Sequence, residues 1–257
     1  NAITGRNVIV YATRWTQPSD VDPSLLMINA EDIHGFMEVF NGMSGDSLDL
    51  ILHSPGGSAE AAEGLVKYIR TQVKDVRVIV PHAAMSAASM LACSADKIVL
   101  GKHSFLGPID PQFVLHLEIG RTGVPAHAIL AQFEMAKQEC QDPRKLATWL
   151  PILKQYGPAL IVQCLWAIDL SRDMVEEWLR QYMFAGKVDA AQKASAAAKF
   201  LAEHKNFKSH GRFIDRAQVK QIGLEIEDLE INKKFQDAVL SVYHSVAHTL
   251  TGTPAVK

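Results

Sequence analysis

The chain has 257 residues, of which 48% are hydrophobic and 21% charged, and its formal net charge is −2. This is the composition of an ordinary globular protein with one large core. A near-neutral charge offers no basic surface, which argues against a nucleic acid partner. The longest apolar runs have the length of strands and fall short of the roughly 20 residues of a membrane helix, so no transmembrane segment is expected in this chain.

The three cysteines, Cys93, Cys140 and Cys164, are far apart and form no C-x-x-C motif. Their odd number and wide spacing argue against a disulfide framework or a zinc site and favour a reducing compartment. We therefore expect a cytoplasmic protein without a bound metal. The chain begins at Asn1 without a methionine, so a removed N-terminal segment that associates the protein with a membrane stays open as an alternative.

The first part of the chain alternates strand and helix patterns. Short apolar runs rich in β-branched residues predict strands at 7–12, 48–52, 76–81 and 97–101. Helical patterns lie between them at 33–43, 59–73 and 86–94, with Ser58 as a cap for the second. Such alternation is typical of layered α/β folds with parallel strands.

From about Pro125 the patterns become mainly helical. Helices are predicted at 125–140, 143–156, 158–182 and 185–205, followed by a cap at Asp215 and a short helix that ends at Gly223. The last helix carries an apolar stripe at Phe235, Val239, Val242 and Val246. We expect a single domain over 1–257, with an α/β core at 1–120 and a helical extension at 121–257.

A Gly-Gly turn follows the second predicted strand, in Ser54-Pro55-Gly56-Gly57. Consecutive glycines allow positive φ angles and can aim backbone N–H groups at a ligand. Such donors at the start of a helix would stabilise a developing oxyanion. The competing interpretation is an ordinary tight turn, whereas a dinucleotide site is disfavoured because the G-x-G-x-x-G spacing is absent.

A second turn contains Ser86, which follows a strand and enters a helix of small residues. A serine in this place can be a nucleophile, but it can equally be a simple helix cap. Ser89, one helical turn later, is the rival nucleophile. The local pattern leaves these alternatives open.

The combination of the two turns resembles the Clp protease and crotonase superfamily. HSPGGSAEAAEGL, AMSAASMLACSADKI, the early strand NVIVY, the segment GKHSFLGPIDPQ and the later KSH carry this resemblance over nearly the whole chain. The nearest branch is the serine dehydrogenase proteinase family, which is related to signal peptide peptidase A. The resemblance implies an α/β spiral of stacked parallel β-sheets with helices, followed by a mainly helical C-terminal part.

The resemblance also implies site residues. Ser86 matches the nucleophile, and its interval to the Ala-Asp-Lys-Ile element at 95–98 fits the family better than that of Ser89. Gly56, Gly57 and the N–H of Ala87 match the oxyanion hole. The Ala-Ala pair after Ser86 departs from the Ala-Gly usual in this branch.

The catalytic base is assigned by family order, which runs serine, aspartate, histidine. This order maps onto Ser86, Asp110 and His210, with the histidine as base and the aspartate orienting it. Taken alone, Asp110 is a turn residue and His210 a surface residue. Lys137 is the alternative base, because its 51-residue interval from Ser86 is close to that of signal peptide peptidase A.

Three functions remain to be distinguished. The first is a serine peptidase that acts on peptide or protein substrates without a cofactor. The second is a crotonase-type acyl-CoA enzyme that uses the same donors to polarise a thioester, and the third is a non-catalytic assembly protein. The resemblance further implies a homo-oligomer, of the trimer or hexamer-ring type.

Overall fold

The computed structural model describes residues 2–17, 20–117 and 120–257, with only the backbone of Leu117. Within these residues the strands are β1 Asn7–Ala12, β2 Ser47–His53, β3 Asp75–Val80, β4 Ala83–Ala84, β5 Lys97–Leu100, β6 Phe105–Leu106, β7 Gln112–Leu117, β8 Gly120–Pro125, β9 Ile214–Asp215 and β10 Ile226–Asp228. The helices are α1 Asp32–Phe40, α2 Ala59–Gln72, α3 Ala87–Cys93, α4 Ala126–Glu139, α5 Pro143–Leu153, α6 Leu160–Gln181, α7 Ala190–Ala202, α8 His204–Phe207, α9 Arg216–Gln221 and α10 Lys233–Gly252. Two 3₁₀ turns lie at Pro23–Leu26 and Leu229–Ile231.

The main sheet has five parallel strands in the order β1-β2-β3-β5-β10. Its central strands are buried on both faces, as is usual for parallel sheets covered by helices. Leu48, Leu50 and Leu52 of β2 point into the large core beneath α1, α2 and α3, whereas Ile51 points to the opposite face. The expected mixed α/β fold is therefore present.

The opposite face of the main sheet is covered by α10. Phe235 and Val239 pack against Ile51, Ile79 and Val99, which confirms the first two members of the predicted apolar stripe. This helix leaves the β1 edge of the same face partly open. In the described part of the chain, no helix combines the length and apolar character needed to cross a bilayer.

Most predicted elements of the first part are confirmed, including their caps. Ser58 accepts a hydrogen bond from the backbone N–H of Ala61 at 3.0 Å, and Asp215 forms a reciprocal capping box with Gln218. Several strands are not predicted by the sequence pattern. They are the antiparallel hairpin of β7 and β8, the short strands β4, β6 and β9, and β10, which brings the later part of the chain into the main sheet.

A small second sheet joins the two parts of the chain. It has the order β4-β6-β9, in which β4 and β6 are parallel and β6 and β9 antiparallel. The antiparallel strand β9 differs from the all-parallel stacking that the resemblance implies. Because β4 leads directly into α3, this sheet fixes the position of the turn that contains Ser86.

Candidate active site

The two turns singled out in the sequence lie against each other. The N–H of Ser54 donates to the carbonyl of Ala83 at 3.2 Å, and the N–H of Met85 donates to the carbonyl of Ser54 at 3.0 Å. At Gly56 the φ angle is +96°, and an added Cβ would lie 2.5 Å from the Met85 carbonyl and 2.7 Å from Ser86 Cβ. The contact between the turns therefore requires a residue without a side chain at position 56.

Ser86 occupies a strained bend between β4 and α3. Its φ and ψ angles are 50° and −122°, a conformation that costs a non-glycine residue about 1–3 kcal/mol. A serine in such a strand-to-helix elbow projects its hydroxyl above the sheet. Ser86 Oγ makes no hydrogen bond with any residue that the structure describes, and Ser86 lines a cavity.

Ser89 has a different environment. It is fully buried, and its Oγ donates to the carbonyl of Ala84 at 2.7 Å and accepts from the N–H of Gly107 at 2.8 Å. Both hydrogen-bonding roles of the hydroxyl are thus used inside the protein. The structure does not bring Ser89 into the cavity that Ser86 lines.

Two backbone N–H groups border the cavity beside Ser86. Gly57 and Ala87 both line it, and neither N–H has an acceptor within the described ranges. Gly57 is held by the backbone of Ile28, whose carbonyl oxygen would lie 2.2 Å from a Cβ at this position. Such fixed, unpaired donors are the kind that can stabilise an oxyanion.

The resemblance implies that Gly56 is also an oxyanion donor, but in the structure its N–H has another acceptor. Its N–H donates to Ser54 Oγ at 3.2 Å, and its carbonyl accepts from the N–H of Ile28 at 2.8 Å. Because its backbone groups already have partners inside the protein, Gly56 contributes to the site through its small size.

Asp110 lies just behind the cavity and is 1% exposed. Its Oδ1 is 2.9 Å from His210 Nδ1, and its Oδ2 is 2.8 Å from His204 Nδ1. Gln112 Nε2 also donates to Oδ2 at 3.1 Å. The predicted pair of Asp110 and His210 is thus in contact, and His204 is a second histidine on the same carboxylate that the sequence analysis missed.

His210 and Lys137, the two candidate bases, lie in different places. His210 lines the same cavity as Ser86, although no hydrogen bond joins them in the described structure. Lys137 projects from α4 into an exposed ion pair with Glu134, 2.9 Å between Nζ and Oε1, and it does not line this cavity.

The cavity has a volume of about 450 Å³ and mostly apolar walls. Met90, Ile109 and Phe113 form part of its lining, and Glu60 is the one carboxylate among the lining residues that the structure describes. Large apolar side chains that are exposed to solvent also line it, which is unusual for a monomer surface without a binding role. They are Met27, Val114 and Leu170.

His53 is the last residue of β2, is buried, and does not line the cavity of Ser86. Its ring stacks on His82 with 5.2 Å between centroids, and its Nδ1 lies 3.1 Å from the carbonyl of Ala83. Burial, together with the neighbouring His82, lowers the pKa of His53 to about 4. The ring is therefore neutral at physiological pH.

Solved structures of two proteases are similar to this chain. The ClpP protease catalytic domain from Plasmodium falciparum is 11% identical, with a TM-score of 0.43 and 88% of this chain and 87% of that chain covered. A mutant of the 1510-N membrane-bound stomatin-specific protease, in complex with a substrate peptide, is 14% identical, with a TM-score of 0.44 and coverages of 87% and 75%.

Two curated relatives come from Methanocaldococcus jannaschii. Uncharacterized protein MJ0137 is 38% identical over 207 residues, which are 80% of this chain and 62% of that protein. Uncharacterized protein MJ1495 is 26% identical over 208 residues, 77% of this chain and 61% of that protein. The chain thus spans about three fifths of the length of these relatives.

Residues 27–245 match the family of ClpP-like SDH-type serine proteinases, and they include both turns, Asp110, His204 and His210. The match covers well over half of the chain. The chain therefore belongs to the ClpP-like SDH-type serine proteinase family.

Proposed function

We propose that the protein is a serine peptidase in which Ser86 is the nucleophile, His210 the base and Asp110 the residue that orients the base. The observation that carries the proposal is the hydrogen bond between the buried Asp110 and His210, whose side chain lines the same cavity as the strained, unpaired Ser86. The serine comes from the first part of the chain and the histidine from the second. This division supports a single domain over the whole chain.

Proton transfer follows from the contact with Asp110. Because the carboxylate accepts from Nδ1 of His210, the ring keeps Nε2 unprotonated and able to accept the proton of Ser86 Oγ. Ser86 then adds to the carbonyl carbon of the peptide bond, and the negative charge develops on the carbonyl oxygen. The N–H groups of Gly57 and Ala87 donate to that oxygen.

Collapse of this adduct breaks the C–N bond, and His210 gives its proton to the departing amine. A water molecule, deprotonated in turn by His210, releases the acyl group from Ser86. For the first step Ser86 Oγ and His210 Nε2 must come within about 3 Å of each other. His210 has 26% of its side chain exposed, so its ring has room to move towards the serine when a substrate fills the cavity.

The walls of the cavity suggest the substrate class. The exposed apolar side chains of Met27, Val114 and Leu170 come from three separate segments and meet at one cavity. Burial of a Leu- or Phe-sized side chain against such a surface contributes about 1.5–3 kcal/mol. We propose that the enzyme cleaves protein or peptide segments with large apolar residues next to the cleaved bond.

The first experiment uses a fluorophosphonate probe, which reacts with activated serine hydroxyls. We expect labelling of the folded protein to map to Ser86 and to disappear in Ser86→Ala, together with cleavage of an apolar fluorogenic peptide. Ser89→Ala is the matched serine control and should keep its labelling. It should also lose about 1–3 kcal/mol of stability, because the N–H of Gly107 is left unpaired.

Glu60→Gln tests the acyl-CoA alternative, since that chemistry would need a carboxylate in the cavity. Glu60 already accepts a hydrogen bond from Ser58 Oγ at 2.8 Å, so we expect the variant to retain peptidase activity. Failure of the probe to label Ser86 in correctly folded protein would reject the peptidase proposal. Thioester turnover that depends on Glu60 but not on Ser86 would favour the acyl-CoA enzyme instead.

We propose, in addition, that copies of the chain assemble into a homo-oligomer of the trimer or hexamer-ring type. The resemblance to ring-forming proteases supports this. Light scattering coupled to size-exclusion chromatography measures the mass directly, and a monomer at micromolar concentration would contradict the proposal.

A further inference from the structure

Asp110 has a second histidine that the proposed mechanism does not use. His204 Nδ1 lies 2.8 Å from Oδ2, on the opposite side of the carboxylate from His210. His204 does not line the cavity of Ser86. It borders a separate cavity of about 350 Å³, which is also lined by residues of α4.

We propose that His204 is a positioning residue of the peptidase, which fixes Asp110 and sets the lowest pH at which His210 still acts as a base. This inference rests on the proposed function. The two histidines share one carboxylate, and the described residues give Asp110 no Lys or Arg ion pair. Within the described residues, the ion-pairing partners of Asp110 are therefore the two histidines.

The first role of His204 is geometric. Asp110 is buried, and its Oδ2 accepts from both His204 Nδ1 and Gln112 Nε2. These bonds fix the plane of the carboxylate, and that plane directs Oδ1 at His210. Partners of this kind, one step behind a functional side chain, typically change activity by about 10–100-fold when they are removed.

The second role is electrostatic and follows from the shared carboxylate. When the pH falls, a first proton can go to either ring. A proton on His204 disfavours a second proton on His210, because the two like charges would lie on either side of the same group. We therefore expect the acid limb of the activity profile to depend on whether residue 204 can carry a proton.

Several charged and titratable groups surround His204. Glu203 and Lys205 are its neighbours in sequence, and His127 and Glu134 belong to α4. His210 lies across Asp110. The ring of His127 stacks on that of His204 with 6.1 Å between centroids, and burial lowers the pKa of His127. This shift favours the neutral form of the His127 ring.

The decisive variant is His204→Gln. A glutamine amide can still donate to Asp110, but it cannot take up a proton. We expect kcat/KM at pH 8 to stay within about tenfold of wild type, whereas the acid limb of the pH profile moves upward by roughly 0.5–1 pH unit. His204→Ala removes the donor as well, and we expect a loss of about 10–100-fold across the whole pH range.

The profiles are measured between pH 5 and pH 8 with the apolar fluorogenic peptide, and fluorophosphonate labelling counts the competent sites at each pH. His248→Gln is the matched control, since His248 is an exposed histidine of α10. Thermal unfolding of each variant shows whether it is folded. An acid limb of His204→Gln that superimposes on that of wild type would overturn the proposal.

The experiment also separates this inference from the proposed function. If His204→Gln abolishes labelling of Ser86 while His210→Gln retains it, then His204 is the base, and the assignment of His210 falls while Ser86 stays the nucleophile. If wild-type protein is not labelled at all, the peptidase proposal fails and takes the role of His204 with it.

Discussion

Asp49 and Asp110 are both 1% exposed, and each is held from two sides by nitrogen donors. The partners of Asp49 are arginines: Arg6 Nε lies 2.7 Å from Oδ1, and Arg77 binds both oxygens at 2.9 Å. The partners of Asp110 are histidines at nearly the same distances. The two sites thus share one geometry and differ in the chemistry of the donors.

The difference separates a structural site from one that can move protons. Arginine keeps its charge at every pH that a protein tolerates, so Asp49 is permanently neutralised and links the segment before β1 to strands β2 and β3. Histidine gains and loses a proton near neutral pH. Only the histidine-bound aspartate can therefore take part in acid–base chemistry.

The largest expected effect is on catalysis, from Asp110→Asn. The amide cannot hold both rings with Nδ1 as the donor, so His210 loses the tautomer that accepts a proton from Ser86. We expect kcat to fall by about 10³–10⁴-fold, as happens when a triad aspartate becomes asparagine. Initial rates on the apolar peptide measure this, and a melting temperature close to that of wild type shows that the fold is retained. A variant with wild-type kcat would remove Asp110 from the mechanism.

Asp49→Asn should lower the stability of the protein and leave kcat unchanged. It removes the buried carboxylate that Arg6 and Arg77 share and leaves them only their outer partners, Asp75 and Glu227, so we expect the free energy of unfolding to fall by about 3 kcal/mol. Urea unfolding measures the loss. Because Asp49 is not in contact with the cavity of Ser86, kcat per labelled site should remain unchanged. A folded Asp49→Asn variant with low kcat would show that the two aspartates are not functionally separate.

The expected effect at His53 is smaller, and it extends the comparison to a buried group that forms no ion pair with a carboxylate among the described residues. Its pKa is about 4 in the folded protein and about 6.5 in an unfolded chain, so between these values the unfolded chain binds a proton that the folded protein does not. Stability is therefore lost as the pH falls from about 6.5 towards 4. Between pH 7 and pH 5 this contribution amounts to about 2 kcal/mol.

His53→Phe should remove that part of the pH dependence, because phenylalanine can stack on His82 but cannot bind a proton. Urea unfolding of both proteins at pH 7 and pH 5 gives the difference. The Asp49→Asn variant serves as the control, since it keeps His53 and should keep the slope. Equal pH slopes for wild type and His53→Phe would show that another group causes the loss at acid pH.

The sequence was sufficient for the parts of the fold and site that depend on neighbouring residues. The strands, the cap at Ser58 and the elbow at Ser86 follow from local periodicity and small residues. Local patterns do not show that the N–H of Gly56 is already used. That depends on the orientation of the Ser54 side chain, whose hydroxyl accepts from this N–H. The three-residue edge strand β10 is also too short and too acidic to give a strand pattern.

The groups around Asp110 were harder to predict, because His204 and His210 follow Asp110 by 94 and 100 residues in the sequence. Family order favoured His210 as the base, and the interval from Ser86 kept Lys137 as the alternative. An interval in sequence does not fix the face of α4 from which a side chain projects. His204 begins a helix of four residues and carries no motif of its own. Its contact with Asp110 becomes visible only when both parts of the chain are folded together.

The division of the site between two distant parts of the chain also has a consequence for synthesis. His210 follows Ser86 by 124 residues, which a ribosome adds in about 6–25 s at 5–20 residues per second. During that interval the emerging chain has the proposed nucleophile and oxyanion donors but not the proposed base. We expect the nascent peptidase to be inactive until the later helices have docked, so that newly made chains do not cleave the unfolded polypeptides around them.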